Sequence, residues 1–153
     1  MTTIEIGDEA PDFALEDQDR QVVRLSDFRG EKNVVVVFYP LSFTSVCQGE
    51  LCEIRDGIED FAGDDVQTLA ISCDSGPTHA KWAAEQGYDF PLLADFWPHG
   101  AVARAYGVFD EHSGLALRGS FIVDKSGKVV YKVVNAIPDA RDVEEYRRVL
   151  ATL

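Results

Sequence analysis

The feature that most constrains this fold is the uninterrupted apolar run Val34-Val-Val-Val-Phe-Tyr39, which ends at Pro40. Consecutive β-branched and aromatic residues predict a strand that is buried on both faces, because a half-exposed strand alternates apolar and polar side chains. Such strands lie at the centre of a sheet, and ligands and chemistry gather at their carboxyl ends. A short loop leads from Pro40 to Cys47, where a helix is predicted to begin. We therefore expect a functional site around Cys47.

The periodicity of the remaining chain predicts one order of elements around this strand. Two short strands form a hairpin within residues 11–25, before the central strand. The segments that follow are a helix over 45–61, a strand over 66–73, a helix over 77–86, an extended stretch over 87–94, a short helix over 98–106, a hairpin of strands 115–123 and 129–134, and a helix over 142–153 capped by Asp142. This order predicts an α/β protein with a central mixed sheet flanked by helices. It resembles a thioredoxin-like fold with an N-terminal β-hairpin extension.

Length and charge narrow the class of protein. The chain has 153 residues, which fits a single domain over residues 1–153, and 46% of them are hydrophobic. A net charge of −13 argues against nucleic acid or an anionic membrane surface as a partner. Neither a membrane-spanning run nor a secretory signal is visible, so we expect a cytoplasmic protein.

The cysteine content points to chemistry rather than to structural stapling. Three cysteines do not suggest a disulfide framework, and no Cys or His cluster has the spacing of a zinc site. We therefore expect no metal and no organic cofactor. Cys73 ends an apolar strand and is predicted to be a core thiol. The aromatic residues of the second half are predicted to serve the core or an interface: Trp82, Phe96, Trp97 and Tyr106.

The predicted position of Cys47 has a direct chemical consequence. Unpaired backbone N–H groups and the positive end of the helix dipole favour a thiolate there, and the thiolate is the nucleophilic form of cysteine. Thr44 can direct its hydroxyl towards whatever the sulfur attacks. Pro40 can shield the site from water without offering a competing N–H group.

These residues carry a resemblance to a known family. Pro40-Leu-Ser-Phe-Thr44-Ser-Val-Cys47 matches the P-x-x-x-T-x-x-C signature of peroxiredoxins. The similarity extends to Ala10-Pro-Asp-Phe13, Cys47-Gln-Gly-Glu50, Ala105-Tyr-Gly-Val108 and Arg118-Gly-Ser-Phe-Ile-Val-Asp124. Leu41-Ser-Phe-Thr44 and Asp95-Phe-Trp-Pro-His-Gly-Ala101 look most like the alkyl hydroperoxide reductase E group of actinobacteria.

The resemblance implies a thiol-dependent peroxidase with named roles. Cys47 would attack a hydroperoxide and become a sulfenic acid. Thr44 and Arg118 would hold the two peroxide oxygens, Pro40 would close the pocket, and Glu50 would tie down the arginine. The alternatives are a surface ion pair for Arg118 and an exposed helix carboxylate for Glu50. The implied partners are a hydroperoxide, a thiol reductant (thioredoxin, a low-molecular-weight thiol or a glutaredoxin-like protein) and a second copy of the chain in a homodimer.

Cys52 is the candidate resolving cysteine. A helical projection places it opposite the apolar face of Leu51 and Ile54, where a purely structural cysteine is less common. Its five-residue spacing from Cys47 is that of Q-type (bacterioferritin comigratory) peroxiredoxins. On an intact helix the two Cα atoms are about 8–9 Å apart, too far for a disulfide, so the helix must unwind first. Gly49 lowers the cost of that unwinding.

Three other mechanisms stay open at this point. One is a one-cysteine peroxidase resolved by an external thiol, with Cys52 incidental. Another is a thioredoxin-like disulfide oxidoreductase, although Glu50 stands where a C-x-x-C motif requires its second cysteine. The last is a redox sensor that forms the same sulfenic acid without turnover.

Overall fold

The computed structural model describes residues 4–153. Its strands are β1 (Ala14–Glu16), β2 (Val22–Arg24), β3 (Asn33–Phe38), β4 (Val66–Ser72), β5 (Leu92–Ala94), β6 (Phe109–Asp110), β7 (Leu115–Ala116), β8 (Arg118–Val123) and β9 (Val129–Asn135). Its α-helices are α1 (Ser45–Asp56), α2 (Ile58–Phe61), α3 (Gly76–Gln86), α4 (Ala101–Ala105) and α5 (Val143–Leu150). A 3₁₀ turn over Leu25–Phe28 joins β2 to β3.

The main sheet confirms the central position of β3. Its five strands are ordered β5-β4-β3-β8-β9, with β3, β4 and β5 parallel and with β8 and β9 antiparallel to their neighbours. Every residue of β3 is buried. The predicted N-terminal hairpin forms a separate antiparallel pair, β1 with β2. The mixed sheet flanked by helices is the predicted thioredoxin-like arrangement.

Alternate side chains of β3 enter two different hydrophobic layers. Val34, Val36 and Phe38 pack with Phe13, Tyr106 and Phe121 on one face of the sheet. Val35, Val37 and Tyr39 pack with Leu51, Trp82 and Tyr146 on the other. Each buried side chain of this size contributes roughly 1.5–3 kcal/mol. The two-sided burial explains why β3 is apolar from Val34 onwards. It also fixes the end of β3, where the loop to Cys47 begins.

The helix predicted over residues 45–61 is divided in two. Gly57 adopts φ −109° and ψ 32°, which ends α1, and α2 continues as one short turn. The guanidinium of Arg147 lies where a Cβ at Gly57 would be, and it also contacts the ring of Phe61. A side chain from α5 therefore fills the space at the break. The periodicity of residues 45–61 cannot predict this break, because the side chain involved lies outside that segment.

The strand predicted over 115–123 is also divided. Leu115–Ala116 pairs with Phe109–Asp110, and only from Arg118 onwards does the chain join the main sheet. The extended stretch 87–94 contains a strand only at its end, Leu92–Ala94, and the short helix predicted over 98–106 narrows to Ala101–Ala105. The predicted cap of the last helix is confirmed, because the side chain of Asp142 accepts from the Glu144 N–H.

None of the helices within residues 4–153 combines the length and the apolar character needed to cross a bilayer.

Candidate active site

Cys47 lies in the first turn of α1 and is fully buried. The chain enters the helix through Phe43, which has φ +65°, and Thr44, which is the N-cap residue in an extended conformation. The first backbone hydrogen bond of the helix runs from the Gln48 N–H to the Thr44 carbonyl. The N–H groups before Gln48 have no partner within the helix, so the sulfur lies where an anion is stabilised. The position predicted for Cys47 is confirmed.

Arg118 reaches Cys47 from the strand beside β3. Because Val37 pairs with Ser120 in the antiparallel register, Arg118 at the start of β8 lies level with the end of β3. Its Nη1 is 3.3 Å from the Cys47 sulfur, and its Nε donates to the Ile137 carbonyl. The side chain is only 3% exposed. The surface ion pair considered for Arg118 is therefore wrong, because the guanidinium is buried against the sulfur.

Glu50 lies one turn after Cys47 and is also buried. Its Oε1 accepts from Arg118 Nη1 at 2.6 Å and from Arg141 Nη2 at 2.9 Å. Burial alone would raise the pKa of Glu50, but the hydrogen bonds and charge of Arg141, with the charge of Arg118, hold the pKa below its ordinary value. The alternative of an exposed helix carboxylate for Glu50 is wrong.

Arg141 belongs to the site but was not predicted from the sequence. Its backbone N–H and its Nε donate to Oε2 of Glu50 at 2.7 and 2.9 Å. Its Nη1 donates to the Phe38 carbonyl at 2.6 Å and to the Gly119 carbonyl at 2.9 Å. Burial would lower the pKa of Arg141, but Glu50 raises it, so the buried guanidinium stays charged. The residue therefore fastens α1 to the ends of β3 and β8.

Thr44 and Pro40 complete the entrance to the site. The Thr44 hydroxyl donates to the Leu41 carbonyl at 2.6 Å, so its proton is engaged within the loop and its oxygen can accept from a bound molecule. Pro40 is buried two residues after the end of β3. Arg118 thus contacts both Cys47 and Glu50, and Thr44 and Pro40 lie on the loop that leads to Cys47.

Cys52 does not contact Cys47, and α1 is continuous between the two residues. The Cys52 sulfur is 3.4 Å from the Tyr88 hydroxyl and 3.7 Å from Oε1 of Gln86. The helical projection is correct in separating Cys52 from Leu51. However, that face of α1 is not open surface: it packs against the end of α3, and Cys52 is half-buried there.

Cys73 is a core thiol, as predicted, and is 6% exposed. Burial, followed by the negative charges of Asp95 and Asp74, raises the pKa of Cys73 to about 12. The aromatic residues separate into two groups. Trp82 and Tyr106 are buried in the core, whereas Phe96 and Trp97 are exposed.

Two further features bear on what else the site can hold. Within residues 4–153, no three His, Cys, Asp or Glu side chains come together in a way that could bind a metal ion.

A cavity of about 620 Å³ opens at the opposite end of the sheet, where Asn33 and Val66 begin their strands. Its cations are already paired, Lys125 with Asp65 and Arg147 with Asp60, and it is remote from Cys47.

The geometry is suited to nucleophilic sulfur chemistry. A buried thiol lies at a helix N-terminus and contacts a guanidinium that a carboxylate holds in place, an arrangement suited to nucleophilic attack. The same guanidinium can stabilise negative charge on an oxygen that leaves during the reaction. Neither function requires a metal ion or a second cysteine in contact with Cys47.

Comparison with known proteins identifies the family. Residues 6–132 match the model of the AhpC/TSA family. The chain is 49% identical over 150 residues to alkyl hydroperoxide reductase E of Mycobacterium tuberculosis, covering 98% of each chain. It is 39% identical over 155 residues to a thioredoxin peroxidase of Echinococcus granulosus, covering 95% of this chain and 79% of that protein. The crystal structure of peroxidoxin BcpB from Mycobacterium tuberculosis superposes with a TM-score of 0.86 at 31% identity, covering 98% of each chain.

The match extends over nearly the whole chain, and the residues that carry the peroxiredoxin signature converge on one buried site. These findings favour the peroxidase over the disulfide oxidoreductase and the sensor. The chain therefore belongs to the AhpC/TSA family and is a peroxiredoxin, a thiol-dependent peroxidase.

Proposed function

We propose that Cys47 is the nucleophile with which this peroxidase reduces hydrogen peroxide and organic hydroperoxides. The observation that carries the proposal is the 3.3 Å contact between Arg118 Nη1 and the Cys47 sulfur at the N-terminus of α1. The Cys47 thiolate attacks the terminal oxygen of the hydroperoxide, and the O–O bond breaks. The departing oxygen takes a proton and leaves as water or an alcohol, while Cys47 becomes a sulfenic acid.

The other site residues position the substrate. Arg118 stabilises the thiolate and the charge that develops on the departing oxygen. The Thr44 oxygen accepts a hydrogen bond from the peroxide, since its own proton is already given to Leu41. Pro40 limits access of water. Glu50 keeps Arg118 in the orientation that faces the sulfur.

Cys52 resolves the sulfenic acid in this mechanism. Its thiolate attacks the Cys47 sulfur, the S–O bond breaks, water leaves and an intramolecular disulfide forms. Because α1 separates the two sulfurs, the helix opens between them first. A thiol reductant such as thioredoxin, a low-molecular-weight thiol or a glutaredoxin-like protein then reduces the disulfide. The alternative is a one-cysteine cycle in which that external thiol attacks the sulfenic acid directly, and the contact of Cys52 with Tyr88 in the folded helix is consistent with it.

Mass spectrometry after one equivalent of hydrogen peroxide tests both steps. We expect wild type to gain a Cys47–Cys52 disulfide, Cys52→Ser to stop at a Cys47 sulfenic acid, and Cys47→Ser to consume no peroxide. Cys73→Ser is the matched control and should behave as wild type. Peroxide consumption by Cys47→Ser would overturn the assignment of the nucleophile. A stable Cys47 sulfenic or sulfinic acid in wild type, with Cys52 free, would establish the one-cysteine cycle.

The chain acts as a homodimer in this proposal. Four apolar side chains are exposed near the site: Leu41, Phe43, Phe96 and Trp97, the last 82% exposed. They belong to the segments that follow β3 and β5, and parallel strands end at the same edge of a sheet. Apolar and aromatic side chains of this kind are typical of an interface. Sedimentation should give a dimer that Trp97→Glu converts to monomer, whereas Val22→Glu, an exposed apolar position on the hairpin, should not. A monomeric wild type would contradict the proposal.

Residues 1–153 act as one domain in this proposal, and the place of action is the cytoplasm. The reducing cytoplasm fits three cysteines that are all unpaired thiols in the structure.

A further inference from the structure

A second set of buried polar residues lies next to the loop that leads to Cys47, and the proposed mechanism does not use it. We call it the Asp74 cluster: Tyr39, Ser42, Ser72, Asp74 and His79. Ser42 donates to Oδ2 of Asp74 twice, through its backbone N–H at 2.9 Å and through its hydroxyl at 2.8 Å. The Ser72 hydroxyl donates to the same oxygen at 2.7 Å. All members except Asp74 are 5% exposed or less, and the Asp74 side chain is 10% exposed.

The protons of the cluster can be assigned in one consistent way. Burial raises the pKa of Tyr39, so its hydroxyl stays protonated and donates to the Ser42 oxygen 3.0 Å away. Burial lowers the pKa of His79 to about 4, so the ring is neutral. Because the Ser72 hydroxyl gives its own proton to Asp74, we assign Nε2 of His79 as the donor in its 2.7 Å contact with the Ser72 oxygen. Both serine hydroxyls are then free to donate to Asp74. Tyr39 and His79 thus donate to the two serines, and both serines donate to Asp74, which makes its carboxylate the final acceptor of the cluster.

The topology shows what the cluster restrains. Ser42 belongs to the loop after β3, and Asp74 follows the parallel neighbour β4. Thr44 is two residues from Ser42, and Phe43 between them has the left-handed φ of +65°. A phenylalanine rarely adopts this conformation unless its neighbours are held on both sides. The double hydrogen bond from Ser42 to Asp74 supplies that restraint on one side, and the N-cap of α1 supplies it on the other.

We propose that Asp74 is a positioning residue for peroxide reduction: through Ser42 it holds the Pro40–Thr44 loop in register with Cys47. The proposal rests on the proposed role of Cys47. Asp74 and Cys47 have no contact, so the effect acts through the placement of Thr44 and Pro40. Displacement of a positioning group by about 1 Å can cost about 10²-fold in rate.

The test compares two reactions of the same sulfur. Peroxide reduction requires the ordered loop, whereas alkylation of the fully buried Cys47 by iodoacetamide requires only that the site opens far enough to admit the reagent. We expect Asp74→Asn to lower the second-order rate constant with hydrogen peroxide by about tenfold or more. We expect the alkylation rate of Cys47, resolved by mass spectrometry, to be no lower than that of wild type, because a loosened loop does not restrict access to the sulfur. Ser42→Ala keeps the backbone N–H donor and loses only the hydroxyl, so its peroxide rate should fall less, by about threefold.

The matched control is Asp124→Asn. Oδ1 of Asp124 also accepts from the backbone N–H and the hydroxyl of one serine, Ser126, but this pair lies on the β8–β9 turn at the far end of the sheet. Both of its rates should equal those of wild type. Asp74→Glu, which retains the carboxylate, should recover part of the peroxide rate.

Three outcomes would overturn the proposal: an unchanged peroxide rate in Asp74→Asn, an equal loss of peroxide and alkylation rates, or an equal loss in Asp124→Asn. If Asp74→Asn does not fold, Ser42→Ala decides by the same pair of rates. Failure of the proposed function would differ from all of these, because peroxide would then leave Cys47 of the wild-type protein unoxidised in the same measurement.

Discussion

The sulfur of Cys52 lies 3.4 Å from the hydroxyl oxygen of Tyr88, which directs the thiol towards the end of α3 and away from Cys47. Two other contacts join the same helices, from Arg55 Nη1 to the Gln86 carbonyl at 2.8 Å and from Trp82 Nε1 to Gln48 Oε1 at 3.5 Å. In the folded form of α1, the candidate resolving cysteine Cys52 therefore contacts Tyr88 and not the Cys47 sulfur that it would attack. Resolution competes with these contacts, and their strength bears on how fast the disulfide forms.

Removal of the Tyr88 hydroxyl should speed resolution. Tyr88→Phe keeps the buried ring and deletes one hydrogen bond to Cys52, a contact worth about 1 kcal/mol, so disulfide formation should become roughly fivefold faster. The rate at which peroxide oxidises Cys47 should not change. Stopped-flow fluorescence after mixing with peroxide separates the two steps, and Trp82 provides a reporter beside α1.

Tyr131→Phe is the control for this prediction, since that hydroxyl donates to Glu145, away from α1. A resolution rate in Tyr88→Phe equal to that of wild type would show that the contact does not restrain Cys52.

Glu50→Gln should impair both stability and the first chemical step. The substitution leaves the buried guanidinium groups of Arg118 and Arg141 without their counter-charge, a change that typically costs about 3–5 kcal/mol. Arg118 also loses the partner that orients it towards Cys47, so the peroxide rate constant should fall about tenfold. Urea denaturation and stopped-flow oxidation measure the two effects.

Glu53→Gln provides the comparison on the same helix, because Glu53 is exposed. Its stability should differ from wild type by less than about 0.5 kcal/mol. Equal losses in the two variants, or a stable Glu50→Gln, would contradict the assignment of Glu50 as the residue that holds the two arginines.

Several of these relationships could be predicted from the sequence and others could not. Cys47, Thr44 and Pro40 were found because their signal is local: one buried strand, one short loop and one helix start within residues 34–50. Arg118 was identified only through the family motif, since nothing in its neighbourhood indicates that β8 pairs with β3. Local pattern and family resemblance thus account for different parts of the site.

Arg141 was missed because its role depends on contacts distant in sequence. It lies in a loop without periodicity, 91 residues from Glu50 and 103 from Phe38. The break in the helix at Gly57 was missed for the same reason, because the side chain that occupies the space belongs to α5. Cys52 was placed on the correct face of α1, but only the position of α3 shows that this face is covered.

Stability should depend on pH through His79. Burial lowers the pKa of His79 to about 4 in the folded protein. Asp74, whose Oδ2 is 3.9 Å away, favours the protonated ring, but its effect is smaller than that of burial. An unfolded histidine has a pKa of about 6.5, so between these values the unfolded chain binds more protons. The free energy of unfolding should therefore be fully retained above about pH 6.5 and fall as the pH decreases towards about 4.

Urea denaturation at pH 7.5 and pH 5 measures this dependence. His79→Gln removes the titrating group, so its loss of stability between the two pH values should be smaller than that of wild type. His112→Gln changes an exposed histidine and should lose as much stability as wild type. Parallel pH profiles for wild type and His79→Gln would exclude His79 as the source.

Cys73 should be chemically silent in the native protein. Its pKa is raised to about 12, chiefly by burial and then by the charges of Asp95 and Asp74, so almost no thiolate forms near neutral pH. Iodoacetamide at pH 8 should modify Cys47 and Cys52 and leave Cys73 unmodified, as judged by peptide mass spectrometry. The same treatment in urea should modify all three cysteines, because unfolding removes the cause of the shift. Modification of native Cys73 at the rate of Cys52 would show that the end of β4 opens to solvent. The Asp74 cluster, which lies beside Cys73, would then not be a rigid support for the loop that leads to Cys47.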